Sequence, residues 1–204
     1  MCQELSVGGI TPSYGLIEKV LNELSIPTTI LIRPRSGNFV HTDDEFQIMK
    51  SNIQRCKELG AKGIVSGVLD EDNTIDIART KELVALSKPL PFTFHRAFDE
   101  VQNPKAALEQ LIDLDVVRVL TSGQQKTAEE GLPLLAQLNQ QAKGRIVILA
   151  GGGISSENAI KFKNAGIQEI HASASSTIQQ EKSMFGMHQT VSDTTKIKAI
   201  LNAI

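Results

Sequence analysis

The stretch PFTFHRAFDE (91–100) alternates phenylalanine with other residues and then ends on His95, Arg96 and Asp99. Side chains alternate between the two faces of a strand, so His95 shares a face with Thr93 and lies opposite the phenylalanines. If the phenylalanines pack against helices, His95 points into the mouth of a barrel. The stretch then predicts a strand whose end forms the floor of a pocket. The alternative is a buried histidine held by a neighbour, beside a surface ion pair of Arg96 and Asp99.

The same pattern of an apolar run, a polar or glycine-bearing turn and an amphipathic helical stretch repeats along the chain. The other runs are TTILIRPR (28–35), GIVSGVLD (63–70), VVRVLTSG (116–123), RIVILAGGG (145–153) and IQEIHASA (167–174). Several are nearly continuous in apolar residues, which is typical of parallel strands covered on both faces. Repeated βα units predict either an open, doubly wound sheet or a (β/α) barrel.

The position of the polar residues favours the barrel. No G-x-G-x-x-G fingerprint follows the first run, as a dinucleotide-binding open sheet would require. Polar groups instead stand at the ends of several different strands, as they do in barrel enzymes. We therefore predict an α/β fold, a TIM (β/α)8-type barrel in which six of the eight strands are present, as a single domain over residues 1–204.

Capping signals mark the starts of helices between these runs. They are Thr11 with Pro12, Thr42 with Glu45, Asn103 with Pro104, and Ser155 or Ser156. The polar stretch SSTIQQEKSMFGMHQTVSDTT (175–195) predicts a loop, and KIKAILNAI (196–204) predicts a short final helix.

Bulk composition excludes several classes of function. A net charge of -2 gives no basic footprint for nucleic acid. The N-terminal residues MCQELSVGG have neither the basic start nor the apolar run of a signal peptide, and no run is long enough to span a bilayer. We therefore predict a cytoplasmic protein that binds neither nucleic acid nor membranes.

Two strand ends carry groups that suit an anionic ligand. Arg33 and Arg35 flank a proline, and guanidinium groups match carboxylate or phosphate geometry. The stretch LAGGGISSENA (149–159) ends an apolar strand on Gly151, Gly152 and Gly153, whose backbone N–H groups can cradle an anion. The alternatives are a solvated Arg35 and a tight turn that needs glycine only for its backbone.

Hydroxyl and imidazole groups at further strand ends complete the predicted pocket. Thr121 lies near the end of one run, and His171 and Ser173 share a face of another. The predicted ligand-binding residues are Arg33, Arg35, Arg96, Thr121, Gly151, Gly152, Gly153 and Ser173. With His95, His171 and Asp99 as candidate catalytic residues, this set predicts an enzyme that acts on a small anionic or phosphorylated metabolite.

The two cysteines offer little for a metal. No CxxC, HxH or HExxH spacing occurs in the sequence. A copper or zinc site needs at least two converging soft or imidazole ligands. Cys56 lies within a predicted helix, where we expect a buried small hydrophobe. Cys2 is left as the one candidate ligand for Cu(I).

Six blocks of the sequence together resemble the CutC family, whose members are usually labelled copper homeostasis proteins. The blocks are GGITPSYGLI (8–17), ILIRPRSGNFV (30–40), FTFHRAFDE (92–100), RVLTSGQ (118–124), RIVILAGGGI (145–154) and EIHASA (169–174). The resemblance implies a cytoplasmic TIM barrel that forms homo-oligomers. It also implies a role in copper handling, with a Cu(I) site formed by cysteines at early strand ends.

The sequence departs from the family pattern at the N-terminus. Family members begin with a strand, a helix and a second strand ahead of the Gly-Gly block, and this sequence starts just before Cys2. By resemblance Cys2 matches the cysteine after the second strand, and its partner on the first strand is absent. Three hypotheses follow: a copper homeostasis protein with an incomplete barrel, an enzyme of anionic metabolites, or a degraded copy without activity.

Overall fold

The computed structural model of the chain describes residues 1–178 and 189–204. Its strands are β1 (Thr29–Leu31), β2 (Gly63–Ser66), β3 (Phe92–Phe94), β4 (Arg118–Thr121), β5 (Val147–Gly151), β6 (Glu169–His171), β7 (Ser175–Ile178) and β8 (Gln189–Ser192). Its α-helices are α1 (Tyr14–Glu23), α2 (Asp43–Glu58), α3 (Ile77–Ser87), α4 (Pro104–Asp113), α5 (Leu132–Ala142), α6 (Ala159–Asn164) and α7 (Thr194–Asn202). Short 3₁₀ helices span Leu5–Val7 and Arg96–Glu100.

The first six strands form one sheet in the order of the sequence, β1-β2-β3-β4-β5-β6. The register is parallel, with Ile30 opposite Ile64 and Ile64 in turn opposite Phe92. A helix follows each of β1 to β5 before the next strand begins. Sequential parallel strands linked by helices confirm the predicted α/β fold of the TIM type. All six strands lie within the six runs that the sequence pattern identified.

One compact unit of the chain comprises Met1–Leu120 and Gln141–Val147. Its interior is formed by strand residues buried on both faces, such as Phe92 and Thr93, together with one face of each helix. In α2 the buried residues are Phe46, Met49, Ile53 and Cys56. They recur every three or four positions, so a single helical stripe is covered. Each large side chain buried in this way contributes about 1.5–3 kcal/mol to folding.

Two of the predicted helix starts in this unit are confirmed. Thr42 Oγ1 accepts from the backbone N–H of Glu45, and Glu45 Oε2 accepts from the N–H of Thr42, which completes a capping box at α2. Asn103 caps α4 and Pro104 occupies its first turn. Gly60 follows α2 with a φ of 90°, the left-handed conformation that ends many helices.

The predicted start of α1 is wrong. The helix begins at Tyr14 with Ser13 as its cap, instead of beginning at Pro12 with Thr11 as the cap. The hydroxyl of Thr11 has other partners, because it donates to the carbonyl of Arg33 and accepts from the N–H of Arg33. The side chain of Thr11 therefore makes a long-range contact instead of the helix cap that the local sequence predicted.

The other compact unit comprises Thr121–Gln140 and Ile148–Ile204. Within it β5 and β6 pair in parallel, with Ala150 opposite Ile170. The short helix α6 begins at Ala159, so the predicted caps Ser155 and Ser156 are wrong. Asn158 occupies the cap position, and its side chain accepts from the N–H of Ser155 and donates to the carbonyl of Gly153 instead.

The predicted loop over residues 175–195 is only partly correct. Its two ends pair as the antiparallel strands β7 and β8, with Thr177 opposite Thr190. The β-branched residues Thr177, Ile178, Thr190 and Val191 favour this pairing, although their polar neighbours concealed it in the sequence pattern. Residues 179–188 of the predicted loop lie outside the described residues. The final helix is confirmed as α7, capped by Asp193.

Within the described ranges, no helix is both long enough and apolar enough to cross a membrane.

Candidate functional site

Arg33 lies just after β1 and is buried, with 5% of its surface exposed. Its Nη1 donates to the carbonyls of Val7 and Gly9 across 2.8 and 3.0 Å, and its Nη2 donates to the carbonyl of Gly37 across 2.6 Å. Its Nε is buried without a hydrogen-bond partner in the described part of the chain. The guanidinium also faces the ring of Phe39, with Cζ 4.8 Å from the ring centre. Burial, followed by the charge of Arg35, lowers the pKa of Arg33.

Arg35, the second predicted arginine, forms its hydrogen bonds with Glu45 and with the loop before α2. Its Nε lies 2.6 Å from Glu45 Oε1 and its Nη2 lies 3.2 Å from Glu45 Oε2. Its Nη1 and Nη2 also donate to the carbonyls of Asn38 and Val40. These bonds lower the pKa of the Glu45 carboxyl, and Arg35 is the largest cause. Arg35 therefore anchors the helix cap through the same carboxylate that completes the capping box.

His41 lies beside this pair and was not among the residues predicted from the sequence. It is 4% exposed, and neither of its ring nitrogens has a hydrogen-bond partner among the described residues. Its Nδ1 lies 3.5 Å from Glu45 Oε2, a contact that becomes an ion pair only when the imidazole is protonated. Burial, followed by the charge of Arg35, lowers the pKa of His41. The imidazole is therefore held in its neutral form at neutral pH.

His95 follows β3 and is also buried, at 5% exposure. Its Nδ1 accepts from the backbone N–H of Ala97 across 3.2 Å, while its Nε2 has no partner in the described residues. The ring lies between Phe39 and Phe94, with centres 4.9 and 5.9 Å away. Burial, followed by the charge of Arg33, lowers the pKa of His95 to about 3. The ring is therefore neutral and carries its proton on Nε2.

Arg96 and Asp99 lie on the 3₁₀ helix that follows His95. Arg96 Nε donates to Asp99 Oδ2 across 2.7 Å. The Arg96 side chain is 45% exposed and the Asp99 side chain 11%. An ion pair of these two residues is the alternative that the sequence left open, although the Asp99 carboxylate is largely covered and does not lie on the open surface.

The two cysteines have different surroundings. Cys56 is fully buried in α2, as predicted, and burial raises the pKa of its thiol to about 11. Cys2 is half-buried. It packs against Gly9, where an added Cβ would lie 3.3 Å from Cys2 Sγ. In residues 1–178 and 189–204, no three His, Cys, Asp or Glu side chains are grouped so that they could hold a metal ion.

The predicted glycine turn lies in the second unit, where its carbonyls have protein partners. The carbonyl of Gly152 accepts from the N–H of Ala128 across 2.8 Å, and that of Gly153 accepts from Asn158 Nδ2. Gly152 and Gly153 have φ values of 123° and 72°, which other residues rarely adopt. The backbone alone is therefore a sufficient reason for these two glycines, while Gly151 is a buried residue of β5.

The remaining predicted residues also belong to the second unit. Thr121 is buried, and its Oγ1 accepts from the N–H of Gly123 across 2.9 Å. His171 ends β6 and is exposed. Ser173 Oγ lies 3.4 Å from Ser175 Oγ, on the wall of a cavity of about 420 Å³. That cavity is also lined by Ser155, Ser156, Glu157 and Lys196, among others.

The structure thus brings together Arg33 and His95 of the predicted set, and adds His41 to them. Phe39 contacts both the Arg33 guanidinium, at 4.8 Å, and the His95 ring, at 4.9 Å, and the charge of Arg33 lowers the pKa of both histidines. We call these three residues the buried nitrogen cluster. Sequence reasoning missed His41 because NFVHTDD is not a strand end. Its place directly before the cap Thr42 was the available signal, since that position commonly packs against the first turn.

Comparison with known proteins gives a consistent result. The model of the CutC family matches residues 1–176. A CutC family protein of Edwardsiella ictaluri is 46% identical over 197 residues, which cover 95% of this chain and 78% of the relative. The human protein named copper homeostasis protein cutC homolog is 48% identical over 178 residues, which cover 87% of this chain and 65% of the relative.

Solved structures give the same family and fold. A copper homeostasis protein CutC from Streptococcus agalactiae superposes with a TM-score of 0.79 at 36% identity, covering 83% of this chain and 85% of the other. An aldolase named QR15 superposes with a TM-score of 0.62 at 19% identity, covering 76% of this chain and 72% of the other. The second likeness concerns the fold alone.

Proposed function

Because the chain belongs to the CutC family, we propose that it serves in copper homeostasis. The observation that carries the proposal is the family match over residues 1–176, together with 48% identity to a human relative named for that role. The match includes the strand ends that carry Arg33 and His95 and the N-terminal segment that carries Cys2. A mouse relative with the same name is 49% identical over 178 residues.

The donor set of the described residues does not fit a resident copper centre. Cu(I) prefers two or more soft ligands, such as thiolates or thioethers. Cys56 is unsuited because it is fully buried and the pKa of its thiol is about 11. Cys2 is half-buried, and its thiol packs on Gly9. If copper contacts the chain directly, Cys2 is therefore the ligand that we propose, with the metal as an exchangeable cargo.

A growth assay tests the role. A bacterial host that lacks its own CutC family protein should regain growth at elevated copper when it expresses this chain. The same host carrying an empty vector is the control. Unchanged copper sensitivity, despite folded protein at normal abundance, would contradict the proposed role and favour a degraded copy.

A titration tests direct binding separately. Under anaerobic conditions, a competing chelator should remove Cu(I) from the chain readily. Cys2→Ser should abolish this weak Cu(I) binding. Tight, stoichiometric binding that survives Cys2→Ser would contradict the assignment of Cys2.

We also propose a cytoplasmic location and self-association. Support for self-association comes from apolar side chains that face solvent between α1 and β1, where Leu24 is 50% exposed and Ile26 is 66% exposed. Burial of such side chains between copies is favourable. Sedimentation equilibrium at micromolar concentration should give a mass above that of one chain. A strictly monomeric species would contradict this part of the proposal.

A further inference from the structure

We propose that the buried nitrogen cluster of Arg33, His41 and His95 is a binding site for a small monovalent oxyanion, with a carboxylate as the preferred class. The proposal goes beyond copper homeostasis and does not depend on it. It rests on contacts inside one compact unit of the chain.

The first reason is that Arg33 carries a buried charge without a counter-charge. Its guanidinium bonds only neutral groups, the carbonyls of Val7, Gly9 and Gly37. No carboxylate of the described residues forms an ion pair with it, and Glu100 acts on it only from a distance. A buried ion without an opposite charge is strongly unfavourable. An anion bound beside Arg33 would supply that charge.

The second reason is that buried nitrogen atoms around it have no hydrogen-bond partner. Nε of Arg33, both ring nitrogens of His41 and Nε2 of His95 are buried without partners in the described part of the chain. Buried polar groups in native proteins are nearly always hydrogen-bonded, and each exception calls for an explanation. One nitrogen of the neutral His41 ring is a donor and the other an acceptor, so the three side chains offer three unused donors, which point to a common acceptor.

The third reason is the geometry of the donors. Nε–H and one Nη2–H lie along the same edge of a guanidinium, and this edge matches the two oxygens of a carboxylate. Since Nδ1 of His95 accepts from Ala97, the proton of the neutral ring stands on Nε2 and makes it a donor. Phe39 packs against both groups, 4.8 Å from the Arg33 guanidinium and 4.9 Å from the His95 ring, so both groups border the same aromatic side chain.

The charge balance selects a monoanion over a dianion. Arg33 is the one fixed cation of the cluster, because both imidazoles are neutral and Arg35 is paired with Glu45. A carboxylate would neutralise that charge. A phosphate dianion would leave a net negative charge in a buried site, at a considerable desolvation cost.

An NMR titration of histidine-labelled protein tests the site. The probes are formate, acetate and glycolate, with inorganic phosphate as the competing class. We expect saturable shifts of the His95 Nε2 and His41 ring signals with a carboxylate, and weaker binding of phosphate. Loss of one hydrogen bond to a charged ligand weakens affinity by roughly tenfold or more.

Matched variants separate binding from folding. His95→Asn keeps an acceptor for the N–H of Ala97 but removes the Nε2 donor, so the affinity for a carboxylate should fall by roughly tenfold or more. His95→Gln places an amide donor near the former position of Nε2 and should recover part of the lost affinity. Arg33→Lys should abolish binding, and Arg55→Lys, on the exposed face of α2, should leave it unchanged. If Arg33→Lys fails to fold, the His95 pair decides.

Three results would overturn the proposal. They are the absence of a saturable shift with any of the carboxylates, carboxylate affinity unchanged in folded His95→Asn, or a clear preference for phosphate. Cys2→Ser should not affect carboxylate binding, so failure of the copper role and failure of this site are distinguishable.

Discussion

The backbone N–H of Ala97 donates to Nδ1 of His95 across 3.2 Å, and this bond fixes the tautomer of a fully enclosed imidazole. The acceptor role of Nδ1 requires that the ring be unprotonated there. The bond therefore acts together with burial and the charge of Arg33, which keep the pKa of His95 far below its ordinary value.

The first prediction is a loss of stability in mild acid. The pKa of His95 is about 3 in the folded protein and near 6.5 in the unfolded chain, so unfolding takes up a proton between these values. The stability of the folded protein with a neutral His95 is fully present above pH 6.5 and is lost as the pH falls toward 3. The expected slope is about 1.4 kcal/mol per pH unit, and His41, whose pKa is also lowered, adds to it with the same sign.

Urea unfolding at intervals between pH 7 and pH 5 measures this slope before most carboxylates titrate. In His95→Asn the free energy of unfolding should depend less steeply on pH, by an amount that corresponds to the uptake of nearly one proton. An unchanged profile in that variant would show that His95 is not the group responsible.

The second prediction concerns Gly67, which lies against the His95 ring. A Cβ added there would lie 2.8 Å from His95 Nδ1 and 3.0 Å from Phe94 Cζ. Both neighbours are buried, so Gly67→Ala should destabilise the chain by about 1–3 kcal/mol. Gly15→Ala is the matched control, since Gly15 lies in α1 with open space around it, and it should stabilise by about 0.4–1 kcal/mol. Equal denaturant midpoints for the two variants would contradict the close approach.

The third prediction concerns the capping box of α2. Thr42→Ala removes the acceptor for the N–H of Glu45, which lies 3.2 Å from Thr42 Oγ1. The loss should cost about 1 kcal/mol in the free energy of unfolding. Thr42→Ser keeps the hydroxyl and should remain within a few tenths of wild type. If the two substitutions cost the same, the methyl group of Thr42 and not its hydroxyl is what matters.

The fourth prediction is a difference in reactivity between the two thiols. Cys56 is fully buried and the pKa of its thiol is raised to about 11, so iodoacetamide should leave it unmodified at pH 8 in the native protein. Cys2 is half-buried and should be alkylated. Mass spectrometry of peptides after a timed reaction measures both, and unfolding in urea should equalise them. Native alkylation of Cys56 at the rate of Cys2 would contradict the described burial.

The strands were the part of the fold that the sequence predicted best. Parallel strands covered on both faces favour nearly continuous apolar runs, and this preference produces stretches such as RIVILA that local inspection can find. The capping box of Thr42 and Glu45 was equally visible because it is satisfied within four residues. Thr11 illustrates the limit: it carries a capping signal, but its hydroxyl bonds Arg33, 22 residues away.

The candidate site was predicted in part for the same reason. His95 and Arg33 stand directly after strands, where the TIM-type fold places functional groups. His41 follows no strand, and only the packing of the loop before α2 brings it beside them. The three carbonyl partners of Arg33 also depend on tertiary structure, and no sequence pattern predicts them.

The bonds of Arg33 to Val7, Gly9 and Gly37 have a consequence for how the family can diversify. Two loops from different parts of the chain share one side chain as their anchor, so neither can change length without displacing the other. Grafting one of them alone from a relative should disorder both, whereas exchange of the two as a matched pair should succeed. Natural variation in these loops is therefore expected to be correlated, and engineering of this protein should treat them as one exchangeable module.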